Sequence, residues 1–171
     1  MVRPMSVIRP TIILLSLLPG TFKTVGAETR SVPADLRQRI VKLPAKLSEL
    51  YRTREIDLSG STVSMAEALD GISNGLLEDA VVLQAFVTGQ TADQVRREIQ
   101  RDQEAIARGI DYKRNAEGWG GSITVIKAAD AALTHVENLI SYYVTRIFEK
   151  DESFDIKNWY IAWRKAAKRN N

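Results

Sequence analysis

Ser122–Lys150, SITVIKAADAALTHVENLISYYVTRIFEK, places Ile126, Ala129, Leu133, Val136, Ile140, Tyr143 and Ile147 at alternating spacings of three and four. That is the 3.6-residue period of an α-helix with one apolar face, not the two-residue period of a half-buried strand. At a rise of about 1.5 Å per residue the helix is about 40 Å long. Such an apolar stripe requires other elements to cover it, and the flanking sequence supplies only helical patterns. The fold class expected is therefore all-α: a helical bundle of four to five helices.

Upstream, Asn115–Ser122 (NAEGWGGS) reads as a glycine-rich connector, with Trp119 expected to fold back onto the bundle. Before it, Thr91 and Gln94 form a capping box that opens a helix to about Lys113. Its stripe of Val95, Ile99, Ile106 and Ile110 is thin, and Asp102 stands where a further apolar residue would continue it. This helix is expected to be the most exposed.

A helical region from Met65 to Thr88 carries Leu69, Ile72, Leu76, Ala80, Leu83 and Val87 on one face. Ser64 and Glu67 make its capping box, and Gly89 suits its stop. Gly71 and Gly75 inside it each weaken a helix by about 1 kcal/mol relative to alanine, which predicts either a close approach by another element or a break at Asn74-Gly75. Leu58–Thr62 (LSGST) is a loop by composition. The first helical stripe is Leu36, Ile40, Leu43, Leu47 and Leu50. Pro44 interrupts it, predicting a kink or two short helices with Pro44 opening the second.

Residues 1–27 have the organisation of a signal peptide: cationic Arg3 and Arg9, apolar Thr11–Leu18 (TIILLSLL), a Pro19-Gly20 break and the small-residue pattern Val25-Gly26-Ala27. Cleavage is expected between Ala27 and Glu28. The apolar run is far shorter than the roughly 20 residues that span a bilayer. The remaining residues, 28–171, are expected to form a single helical domain in an exported protein, periplasmic in a Gram-negative cell and otherwise secreted. With no cysteine in the chain, stability rests on packing rather than disulfides.

The leader contains three of the 24 basic residues and none of the 21 acidic ones, so the mature chain is neutral although the full chain carries +3. A nucleic-acid partner is not expected from that balance. Charge is segregated: Glu55–Asp93 holds seven acidic residues and no basic one, while the last sixteen residues hold five basic and no acidic ones. Such blocks either pair across helix rims or present a charged face to a partner.

Catalytic patterns are sparse. His135 is the single histidine, so a paired-histidine zinc site and a carboxylate di-iron bundle cannot be assembled, and no Gly-x-Ser-x-Gly elbow accompanies it. His135 reads as structural, and no cofactor or metal is expected. Glu67, Asp70, Glu78 and Asp79 read as solvated acids. Arg96, Arg97, Arg101 and Arg108 are the residues that a reaction on a dicarboxylate would recruit.

The most distinctive segment is the C-terminal IKNWYIAWRKAAKRNN, which sets Trp159, Tyr160 and Trp163 ahead of Arg164 and Lys165. With Trp119 these are the candidate binding residues. The aromatic face is expected to dock on the bundle; membrane-surface contact by this helix is the competing arrangement. The function expected is binding of a protein partner, as an inhibitor, immunity or secretion-accessory factor. The alternative is a small exported enzyme acting on an anionic metabolite or a cell-wall glycan.

Overall fold

The computed structural model describes residues 31–53 and 65–167. The leader, the Leu58–Thr62 loop and the Ser64–Glu67 capping box lie outside the residues whose side chains are described. Five helices follow in order: α1 Ala34–Thr53, α2 Met65–Thr88, α3 Ala92–Glu117, α4 Gly121–Phe148 and α5 Ile156–Ala167. No strand occurs among the described residues.

Helix α4 is the centre of the bundle. It packs most extensively on α2, α3 covers both of these, and α5 lies chiefly on α1 with a smaller contact to α4. Leu76, Ala80, Val81 and Leu83 of α2 meet Ala129, Leu133, Val136 and Ile140 of α4 in one core that also takes in Leu36, Ile40, Leu43 and Leu47 of α1.

The centre of the expected α4 stripe, Ala129, Leu133, Val136 and Ile140, is fully buried, but the buried face is wider than that stripe and its ends differ. Ile126 is 39% exposed and Tyr143 and Ile147 are only half-buried, whereas Ala128, Ala132, Val144 and Phe148 are fully inside. The cause is that several helices share α4: Ala128 and Ala132 pack with Ala107 and Ile110 of α3, and Val144 and Phe148 belong to the core shared with α1 and α5. A helix with neighbours on more than one side buries a wider sector than a single stripe.

Helix α1 is one continuous helix through Pro44 rather than two. Proline has no N–H for the carbonyl four residues back, which here is Ile40. The Trp159 indole Nε1 of α5 donates to that carbonyl at 2.8 Å, so the gap in the ladder is filled from another helix.

Helix α2 likewise runs unbroken through Asn74-Gly75. A Cβ at Gly75 would stand 3.2 Å from Lys46 Cε, and Lys46 Nζ donates to the Gly75 carbonyl at 2.5 Å. The glycine therefore admits a lysine side chain of α1 against the α2 backbone.

Helix α3 opens on the Thr91–Gln94 capping box and extends to Glu117, beyond the expected end at Lys113. Asn115, Ala116 and Glu117 tolerate helical geometry; the stop requires a left-handed residue, which Gly118 provides at φ 68°. Of its 26 residues only Val95, Ile99 and Gln103 are buried.

Candidate functional site

The two C-terminal tryptophans stand four residues apart and so share one face of α5. Trp159 and Trp163 are 6% and 2% exposed, and their rings stack at 5.5 Å with an interplanar angle of 10°. Both indoles are part of the bundle core. The turn before α5 is fixed as well: Phe148 and Phe154 stack at 3.7 Å, with the Arg37 guanidinium 5.4 Å and 5.7 Å from the two ring centroids. Arg37 also binds Asp151 and donates to Ser153 Oγ at 2.9 Å. The Ser153 hydroxyl, with help from the Ser153 N–H and the Arg37 charge, holds the Asp151 carboxyl below its ordinary pKa. Asp155 caps α5, accepting from the Asn158 N–H at 3.0 Å.

With one face seated, the opposite face is fixed. Lys157, Ile161 and Arg164 follow at helical spacing, flanked by Tyr160 and Lys165, and all five are exposed. Ile161 is 56% exposed and Tyr160 42%. No acidic residue lies in α5, and among the described residues Lys157, Arg164 and Lys165 make no ion pair. The candidate residues thus divide: Trp159 and Trp163 hold the helix in place, while Tyr160, Arg164 and Lys165 face outward together with Lys157 and Ile161. The last two were not singled out from sequence, although the helical phase that buries the tryptophans selects them.

Trp119 is not brought to this face. It lies in the α3–α4 turn, half-buried, with Lys127 Nζ 4.3 Å from its ring centroid. The full length of α4, about 40 Å, separates that turn from the segment leading into α5.

Elsewhere the charge blocks pair within the chain. Asp79 is 2% exposed, not solvated as its residue type suggests, and accepts from Arg39 at 2.8 Å and Lys46 at 2.5 Å. Arg96 donates from Nε and Nη2 to the two carboxylate oxygens of Glu78 at 3.0 Å and 2.8 Å, and that hydrogen bonding lowers the glutamate's pKa and raises the arginine's. Arg96 also reaches Asp93 at 2.9 Å. Acidic α2 is thereby joined to basic α1 and to Arg96 of α3. Tyr143 is pushed up by burial, with Tyr142 and Glu98 adding to the effect.

His135 lies at the α3–α4 interface with Nε2 3.5 Å from Asp102 Oδ2, beyond hydrogen-bond contact. Asp102, the polar interruption in the α3 stripe, thus faces the histidine. Arg97 and Arg101 line an open depression with Gln100 and Glu104, all on α3. Among the described residues no group of three or more His, Cys, Asp or Glu is placed to hold a metal, and no helix is long and apolar enough to cross a membrane.

Comparison with known proteins finds no matching family model, no matching curated protein and no matching solved structure.

Proposed function

We propose that this chain is an exported helical protein that acts by binding another macromolecule through the outward face of α5. One contrast supports the reading. Helix α5 carries Lys157, Arg164 and Lys165 with no acid among its residues, whereas α1 and α3 mix acids with their cations, and Arg39, Lys46 and Arg96 pair with Asp79 and Glu78 of α2. Uncompensated charge of one sign on a rigid surface steers and selects partners. Export rests on the leader alone: Arg3, Arg9, the apolar run and Val25-Gly26-Ala27. An inhibitor, immunity or secretion-accessory role in the periplasm, or outside a cell with no outer membrane, fits both.

The test is a photo-crosslinking amino acid at Ile161, with Tyr112 on the exposed side of α3 as control, in cells producing the full chain. The expected result is a discrete macromolecular adduct from position 161 and none from 112. Equal adducts from both positions, or none from 161, would overturn the reading. The enzyme alternative draws on the Arg97–Arg101 depression. It gains support only if Arg97→Ala with Arg101→Ala removes the cellular phenotype while α5 substitutions leave it intact.

A further inference from the structure

We infer that the partner of the α5 face is a protein surface bearing carboxylates around an apolar recess that receives Tyr160 and Ile161. This rests on the proposed use of that face and adds the chemistry of what it meets.

The helix macrodipole accounts for part of the charge. Arg164 and Lys165 stand in the last turn of α5, where cations are favourable. Lys157 is the second residue of the same helix, in the first turn, where a cation opposes the dipole. No acid lies within α5 and Lys157 makes no ion pair among the described residues; the nearby Asp155 carboxylate is engaged by the Asn158 backbone and side-chain N–H groups. The ammonium of Lys157 is thus left for an external anion, and because Lys157 and Arg164 stand four residues before and three after Ile161, the matching carboxylates lie on both sides of that residue.

A bilayer is the weaker match. Interfacial helices insert their large apolar side chains, typically Trp, Phe and Leu, below the headgroups. Here Trp159 and Trp163 point the other way and Trp159 is hydrogen-bonded to Ile40, so only Tyr160 and Ile161 remain for insertion. Two apolar side chains ringed by cations are too few for a membrane anchor but are the usual anatomy of a small protein interface, an apolar centre with a charged rim in which Tyr and Arg carry much of the binding. The face is also preorganised by the Asp155 cap and the tryptophan stack, so docking need not order the helix.

The experiment titrates the purified protein with three probes: poly-glutamate, a random glutamate–tyrosine copolymer, and phosphatidylglycerol/phosphatidylcholine vesicles. The copolymer is expected to bind roughly tenfold tighter than poly-glutamate. Tyr160→Ser with Ile161→Asp removes that preference, and Lys157→Gln, Arg164→Gln and Lys165→Gln together remove binding of both polymers. Both variants keep the parental helicity and melting temperature, because every altered side chain is exposed; a separate Lys157→Gln variant serves if the multiple ones melt early, and it weakens both polymers. Equal affinity for the two polymers, indifference to these substitutions, or vesicles binding more tightly than the copolymer would each overturn the inference. If the crosslink at 161 forms and the copolymer shows no preference, the acidic–apolar partner fails and the binding face stands.

Discussion

Trp159 completes the backbone hydrogen bonding that Pro44 interrupts: its indole N–H donates at 2.8 Å to the Ile40 carbonyl, the group that the amide at position 44 would serve in an ordinary helix. One contact keeps α1 continuous, satisfies a buried indole and fixes which face of α5 turns inward. The outward set of Lys157, Tyr160, Ile161, Arg164 and Lys165 follows from that choice.

The two residues should therefore be coupled. Trp159→Phe removes the donor and leaves the Ile40 carbonyl unpaired, at a cost of about 1–3 kcal/mol beyond the lost packing. In a Pro44→Ala background the restored amide serves Ile40, and the same substitution should cost less. A double-mutant cycle by urea unfolding is expected to give an interaction energy of about 1 kcal/mol. An additive cycle would mean that the indole bond and the proline are unrelated.

What the chain reveals locally, the structure repeats. The periods of three and four are properties of single segments, so an all-helical bundle of four to five helices could be read from them. Continuity through Pro44 could not, because the compensating donor, Trp159, lies 119 positions from the Ile40 carbonyl. The same limit applies to Asp79: a lone acid in an acidic stretch reads as solvated until α1 lays Arg39 and Lys46 over it. For α5 the shared inward face of Trp159 and Trp163 was legible in their four-residue spacing, whereas the outward place of Tyr160 beside Lys157 and Ile161 depended on knowing what the helix packs against.

The centre and the N-terminal end of the α4 stripe should differ on mutation. Leu133→Ala or Ile140→Ala should cost about 2–5 kcal/mol, since both side chains are fully buried. Ile126→Ala, equal in apparent periodicity, should cost well under half as much because the side chain is partly in water. Equal losses at 126 and 140 in denaturant titrations would restore the simple stripe.

The two acids of α2 should behave differently. Asp79→Ala strips a buried carboxylate from two cations and is expected to cost about 1.5–3 kcal/mol, the range for hydrogen bonds to charged groups. Glu78→Ala removes a largely exposed pair and should cost less than about 1 kcal/mol. Added salt should weaken the Glu78 contribution more, as screening acts mainly on exposed charges.

Asp151 supplies a pH dependence of defined sign. Its folded pKa lies below the ordinary 3.8, so its contribution to stability is complete above that value and is lost as pH falls through the lower folded value. An NMR titration of the Asp151 carboxyl should give a midpoint below 3.8 in the parent and a higher one in Ser153→Ala, because the Ser153 hydroxyl is the largest cause of the shift. Arg37→Gln should also raise the midpoint, because the Arg37 charge and hydrogen bond both lower it. A parental midpoint at or above 3.8 would remove Asp151 from the acid limb of the stability curve.

Docking of α5 is tested by its own fluorophores. In a Trp119→Phe background the remaining emission comes from Trp159 and Trp163, both buried in the core. That emission should be blue-shifted in the free protein and unchanged by anionic vesicles. Removing residues 156–171 takes away both indoles and leaves the Ile40 carbonyl without its donor, with each large apolar side chain worth about 1.5–3 kcal/mol of burial. At about 2–4 °C per kcal/mol for a chain of this size, the melting temperature should fall by roughly 10 °C or more. An interfacial helix would behave in the opposite way, its indoles starting in water and shifting blue only when vesicles are added, with the melt of the truncated chain almost unmoved. Vesicle-dependent emission in the Trp119→Phe protein would mean that α5 leaves α1, and with it would go the outward face on which partner binding depends.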